Sequence, residues 1–419
     1  MAGGSLRALR SRPFALVWSG ALVSNVGTWM ETIALGRYVA DITGRAAWVG
    51  LVAAAGFLPT AVFGLLGGAL ADRWSRARLL IVSNLVQALV AGGVTWLVAT
   101  NRATPSLLAL AALATGTAGA VGFPSFQAAL PDLVPTEDVP AAVGLSSVQW
   151  NLGRIVGPTL AGLMGIRAAL TCNTLSFLAV VVAVAMARIP RPVAKATVHP
   201  PLRESIAEGW RTVRRVPGLR AMNAVMCLTT FVAAPFIALI PAMVNQALHA
   251  GRGANSTLVV AQGIGAVVAG LFVGGLVGRW GMRRTMVVAV SGLPVALALY
   301  GLAPALGTMA LALVLVGACY MLALSSFSTI AQRLAPAAQR GRVLSINNGV
   351  LGLLYPLGAV SQGWLGDHVG VRRVTVGSGI ALAAVLVGVR LLRPGFTAAI
   401  SESVTVAGPA GSAVAGRSA

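Results

Sequence analysis

Gly67-Gly68-Ala69-Leu70-Ala71-Asp72-Arg73-Trp74-Ser75-Arg76-Ala77-Arg78 interrupts a long apolar run and puts one acid and three arginines into a very short turn. The run before it, residues 48–70, is long enough to cross a bilayer, and so is the run after it, residues 79–99. A charged turn this tight between two spanning helices lies at the membrane surface. Its three arginines place it on the cytoplasmic side. An ordinary basic turn accounts for the arginines, but not for Gly68 standing one helical turn before Asp72.

Composition extends this reading to the whole chain. Of 419 residues, 57% are hydrophobic and only 10% charged, and the mean hydropathy is +0.84. A soluble protein of this size carries about 25% charged residues, so most of this chain sits in lipid. Its 50 glycines let helices approach closely, which favours a helical bundle. Barrel strands would alternate over about ten residues, and no such alternation is seen. The fold class is therefore all-α integral membrane.

The net charge of +21 raises the question of a nucleic-acid partner. The arginines fall in short clusters between apolar runs rather than in one patch, so no nucleic-acid partner is expected. Cys172, Cys227 and Cys319 each lie inside an apolar run without a neighbour at ligand spacing. No metal site or cofactor is expected, and the absence of a GxxxxGK[ST] loop excludes ATP-driven transport on this chain. The basic N-terminal segment precedes a long first span and is expected to be retained.

Twelve spans follow from the apolar runs: 14–40, 48–70, 79–99, 106–126, 141–163 and 168–187 in a first set, then 222–244, 258–277, 285–303, 306–327, 343–365 and 374–392. The chain divides into an N-terminal six-helix half (1–187), a cytoplasmic linker (188–221), a C-terminal six-helix half (222–392) and a disordered tail (393–419). The linker is Pro-rich and basic, with an amphipathic stretch over 202–216 expected to lie at the surface as a short helix. Most of the 31 basic side chains fall in the segments this topology puts inside, so both termini are expected to be cytoplasmic.

The halves repeat. Gly68-x-x-x-Asp72-Arg73-Trp74 returns half a chain later as Gly274-x-x-x-Gly278-Arg279-Trp280, followed by Gly281 and Arg283-Arg284. Gly363-x-x-x-Asp367-His368 is a third echo, on the outer side of the membrane in this topology. The spacing Gly68-x-x-x-Asp72-Arg73-x-x-Arg76-x-Arg78 resembles the loop between helices 2 and 3 of the major facilitator superfamily. That resemblance implies two six-helix halves with substrate bound between them. It also implies a conformational lock formed by Gly68, Asp72, Arg73, Arg76 and Arg78. Because Gly278 stands where the second acid should be, the lock is expected in the first half alone.

In the fifth span, Gly153, Gly157 and Ala161 line one helix face and suit a closely packed neighbour. Pro158 removes a backbone hydrogen bond and can bend the helix. With Gly144 and Gly162, this pattern resembles the signature of drug–proton antiporters in the superfamily, with Ala161 in place of a glycine. Arg154 lies about mid-depth in the same span, where a guanidinium costs at least about 2.5–3.5 kcal/mol unless it faces a cavity or a partner. Glu31 is the acid placed well inside a span, on one face with Ser24 and Thr28. An acid in a low-dielectric cavity can bind and release a proton near neutral pH, so Glu31, modulated by Arg154, is the candidate for proton coupling. Structural roles for both residues stay open.

The stretches Gly27 to Glu31 and Asn151-x-x-Arg154-x-x-Gly157-Pro158 look most like the bacterial efflux branch, which includes enterobactin-exporter-like proteins. This implies a secondary transporter of the cell inner (plasma) membrane that exports a small amphipathic molecule in exchange for protons, as a monomer in the lipid bilayer. A solute importer or facilitator of the same fold is the alternative, then a lipid flippase. No catalytic cluster is present, so no enzyme is expected.

Overall fold

The computed structural model describes residues 7–189, 202–248, 253–336, 339–392 and 395; the side chains of 64–73, 147, 151, 202, 203, 205 and 206 lie outside the description. Six helices make the first half: α1 (Arg12–Thr43), α2 (Ala46–Arg73), α3 (Arg76–Ala99), α4 (Pro105–Ala129), α5 (Val139–Met164) and α6 (Ile166–Ala187). A short helix, α7 (Leu202–Arg215), precedes the second half. That half opens with α8 (Pro217–Leu248) and continues into the run Ala254–Leu302. The run breaks at Gly281, whose φ of 75° and ψ of 161° suit a residue without a Cβ. Its parts are α9 (254–280) and α10 (282–302). Three helices complete the half: α11 (Leu306–Leu334), α12 (Arg340–Val369) and α13 (Val371–Leu392).

Twelve helices thus cross the bundle, as the apolar runs predict. Among the described residues, nine stretches are long and apolar enough to cross a membrane by length and composition alone. Ala254–Leu302 counts once among them although it makes two passes. The helices that fall short are α1 and α5, which carry Glu31 and Arg154. Local signals set several ends: Gly44 (φ 62°) closes α1 with its N–H on the Ala40 carbonyl, and Ser75 caps α3 by accepting from the Arg78 N–H.

The interior is divided unequally along the bundle axis. At the end away from the termini, one core joins both halves, with Met30, Ile33 and Leu108 packed in the same cluster as Phe236, Leu258 and Tyr355. At the terminal end there are two separate cores. One belongs to the first half, around Phe14, Leu130 and Val184; the other to the second, around Leu219, Met286 and Phe327. Among the described residues, the halves therefore share one core at one end and keep separate cores at the other, where we place a cleft.

Helix α8 is irregular for a reason written in its sequence. It contains π-helical turns at Thr229–Ala233 and Val244–Leu248, with Pro235 and Pro241 between them. Pro235 has no N–H for the Phe231 carbonyl one turn earlier. In lipid that oxygen must find another donor. Gln362 of α12 supplies it, donating Nε2 to the Phe231 oxygen at 3.2 Å and to the Val232 oxygen at 2.8 Å.

The surface helix expected over 202–216 is α7, and it docks on the second half. Glu208 pairs with Arg342, Thr212 hydrogen-bonds Gln339, and Val213 is buried. The proline-rich part of the linker and the tail after Arg393 fall outside the described residues, apart from Gly395.

Candidate functional site

The site begins with the way α5 lies on α1. A Cβ built on Gly157 would stand 2.6 Å from the Trp29 Cβ and 2.7 Å from the Val26 carbonyl oxygen, so only glycine fits this crossing. Gly153 likewise meets Asn25, whose Nδ2 donates to the Gln149 carbonyl at 3.0 Å. The small-residue face of α5 thus finds its closely packed neighbour in α1. Gly162 meets Ser256 of α9 instead, and Gly144 has nothing within 4 Å. The five residues of the signature therefore do different things, and among the described residues Gly144 meets no neighbour.

This crossing fixes the direction of Arg154. Its Nη2 donates to Gln262 Oε1 of α9 at 2.7 Å, a hydrogen bond between the halves. Its guanidinium carbon lies 5.6 Å from the Trp29 ring centroid, and Trp29 stands edge-on to Trp150 at 6.3 Å. Trp150 in turn lies 6.1 Å from Phe123 of α4. Trp150 is one turn from Arg154 on the same face, in the direction in which the cores separate. It is 48% exposed and Phe123 55%, so both leave aromatic surface uncovered by the protein.

Glu31 points elsewhere. Gly27 lets α1 sit against Asn173 and Ser176 of α6, and Asn173 Nδ2 donates to Glu31 Oε2. Ser176 in turn donates to the Asn173 carbonyl at 2.7 Å. Thr28 bonds back to the Ser24 carbonyl at 2.9 Å, and Ser24 is buried. The expected partnership of Glu31 with Arg154 is not what the packing makes: their partners are Asn173 and Gln262. Glu31 lies between α1 and α6 within one half, and Arg154 between the halves.

A third cluster closes the fused end. The Asp367 carboxylate accepts from the N–H groups of Ala46 at 2.5 Å and Ala47 at 3.0 Å, the first residues of α2. Arg45 Nε lies 3.6 Å from it and Gln246 Nε2 donates to it at 3.3 Å. A carboxylate at a helix N-terminus satisfies orphan N–H groups and meets the positive end of the helix dipole. Gly363, one turn before Asp367, makes the approach possible, because a Cβ there would stand 2.7 Å from the Ala46 carbonyl oxygen. Asn245 to Asp41 at 3.2 Å and Asn255 to the Ile33 carbonyl at 3.4 Å add further bonds between the halves.

The transmembrane secretion effector family matches residues 3–412. This chain belongs to that family of the major facilitator superfamily. Macrolide efflux protein A of Streptococcus pyogenes is 26% identical over 388 residues, covering 89% of this chain and 94% of that protein. The multidrug efflux pump Tap of Mycolicibacterium fortuitum is 27% identical over 399 residues, 90% of this chain and 94% of that protein. The crystal structure of the nucleoside transporter NupG superposes with a TM-score of 0.72 at 14% identity, over 90% of this chain and 98% of NupG, a likeness of fold.

As a secretion-effector-family member the chain is a multi-pass membrane transporter of bacterial plasma-membrane type, and its substrate is a small molecule. Of the lock residues, Arg76 donates Nη1 to the Ala128 carbonyl at 2.8 Å and pairs with Asp132. Those bonds tie α3 to the end of α4 within the first half. Arg78 is exposed and gives its backbone N–H to the Ser75 cap. Gly68, Asp72 and Arg73 have side chains outside the described residues. Among the described residues, an inter-half contact that resembles a lock is at the opposite end, at Asp367. Its spacing, Gly-x-x-x-Asp, was visible in the chain, but its partner, the start of α2, lies too far along the chain for any motif to show.

Proposed function

We propose that this transporter exports an amphipathic small molecule in exchange for protons, by alternating access between its two halves. The observation that carries the reading is the divided interior: one shared core at one end, two separate cores at the other. The basic clusters favour the terminal end as cytoplasmic. The cleft, with Trp150, Phe123 and Arg154 along it, then faces the cytoplasm, where an exporter loads. The likeness to macrolide and multidrug efflux proteins supports the same direction.

Glu31 is the coupling group in this reading. Proton-driven export needs a carboxyl that holds its proton differently in two conformations, since a proton held equally in both transfers no energy. Glu31 is bonded to a neutral amide on α6 rather than to a fixed cation. Its charge is therefore free to change as α1 moves against α6. Arg154 acts apart from it, as a fixed charge at the crossing of the halves, and the protein works as a monomer.

Inverted membrane vesicles loaded with a panel of amphipathic dyes test the proposal, with and without a pH gradient. Uphill dye uptake that collapses with the gradient is the expected result. Glu31→Gln keeps the volume and the acceptor for Asn173 but cannot ionise. It is expected to abolish uphill uptake while leaving membrane insertion and downhill exchange. Wild-type uphill uptake by this variant would place coupling elsewhere. Uptake indifferent to the gradient would leave a facilitator.

A further inference from the structure

Arg154 is a cation deep in the bundle, and none of the described side chains that contact it is an acid. Glu31, the acid of α1 two residues after Trp29, is bonded to Asn173. The ionisable groups of the opposite half within its field are Tyr320 and Tyr355, phenols that are neutral at physiological pH. What it has are the Gln262 amide oxygen on one nitrogen and the face of Trp29. A guanidinium offers five donors in a rigid fork, shaped for an oxyanion.

The donors here are left over. Among the described residues, Arg154 Nε is sealed from solvent with no acceptor, and so is Nε2 of Gln262, a residue only 1% exposed. Two unmatched donors therefore meet at one point between α5 and α9. Arg154 as a whole is only partly buried, while its Nε is sealed, so an anion reaches the guanidinium by displacing Gln262 Oε1. Beside it, Trp29, Trp150 and Phe123 form a continuous run of aromatic rings across α1, α5 and α4. A pure structural role for Arg154, holding the halves together through Gln262, would use one donor and would not need those rings.

We infer that Arg154 and Gln262 form the charged end, and Trp29, Trp150 and Phe123 the apolar end, of a site for amphipathic organic anions: a carboxylate or sulfonate carried on a ring system. This rests on the transporter reading above but not on its direction or its proton coupling. The anion competes with Gln262 Oε1 for the guanidinium, so occupancy loosens a bond between the halves. The aromatic run sets no sign of charge; Arg154 does.

The test is equilibrium binding to the full-length protein in lipid nanodiscs, with empty nanodiscs as blank. Calorimetry would compare three ligands on one naphthalene body: 1-naphthaleneacetate, the neutral 1-naphthaleneacetamide and the cationic 1-naphthylmethylamine. The expected result is that the acetate binds about tenfold or more tighter than the other two. Arg154→Gln should erase that preference while leaving the amide's affinity in place, and Trp150→Ala should weaken all three alike. Gln262→Glu supplies a carboxylate within the site, guards against misfolding of the Arg154 variant, and should also erase the preference. Equal or tighter binding of the amine, or an anion preference that survives Arg154→Gln or Gln262→Glu, would overturn the inference. Failure of export with anion binding intact would instead strike the export reading alone.

Discussion

Residue by residue, the fifth-helix signature is a set of unequal glycines. Gly157 meets backbone and Cβ atoms of α1 that cannot withdraw without moving the helix. Gly157→Ala should lower stability by about 1–3 kcal/mol through overpacking and depress the thermal midpoint in detergent. Gly144 has open space around it, and Gly144→Ala should be neutral or stabilising by up to about 1 kcal/mol, since alanine is the better helix former. Equal losses at both positions would mean that the signature acts as a unit. The glycine face was legible because spacing along a helix is a property of the sequence. Which glycine touches what was not, since that depends on where α1 and α9 cross α5.

At the scale of elements, one contact at a helix break holds the second half together and one at a helix end joins the two halves. Gln362 replaces the backbone donor that Pro235 removes from α8. Gln362→Leu would remove the side-chain donor from the Phe231 and Val232 carbonyls at the break in α8 and is expected to cost about 1–3 kcal/mol, read as a lower thermal midpoint and reduced yield in the membrane. Asp367 meets the N-terminus of α2 across the fused end. A carboxylate there is worth about 0.5–2 kcal/mol, so Asp367→Asn should shift the balance towards opening at that end by roughly 2- to 30-fold. A cysteine at Val259, buried in the shared core, would report it through faster labelling by an impermeant maleimide in a background lacking the native cysteines. Unchanged labelling would reduce Asp367 to an ordinary helix cap. The glutamine stood among many intramembrane polar residues with nothing in its own neighbourhood to mark it, because its task is defined by a proline on another helix.

For the molecule as a whole, the two separate cores at the terminal end and the clustering of arginines in the same quarter make one prediction about sidedness. Both chain ends should be shielded from impermeant reagents in intact cells and become reactive in inverted vesicles. Labelling of either end from outside would reverse the cleft and, with it, the loading side. The proposed roles of Glu31 and the cleft depend on this result, because a transporter open to the other side would capture rather than export.

The sequence by itself determined the class, the number of passes and the repeat. Each of these follows from local composition: a run either is or is not long and apolar enough to span lipid, and a turn between two runs has no freedom to be elsewhere. It also singled out Glu31 and Arg154, since a charge inside an apolar run is conspicuous wherever the helix lies. What only the tertiary structure decided is the company these residues keep. Glu31 went to Asn173 and Arg154 to Gln262 because α1 presents one face to α6 and another to α5, and helix rotation is set by packing against neighbours rather than by the helix's own residues. The same holds for Asp367, whose partner is the first turn of α2: a backbone N–H group has no sequence signature, and only the folded bundle brings it within reach.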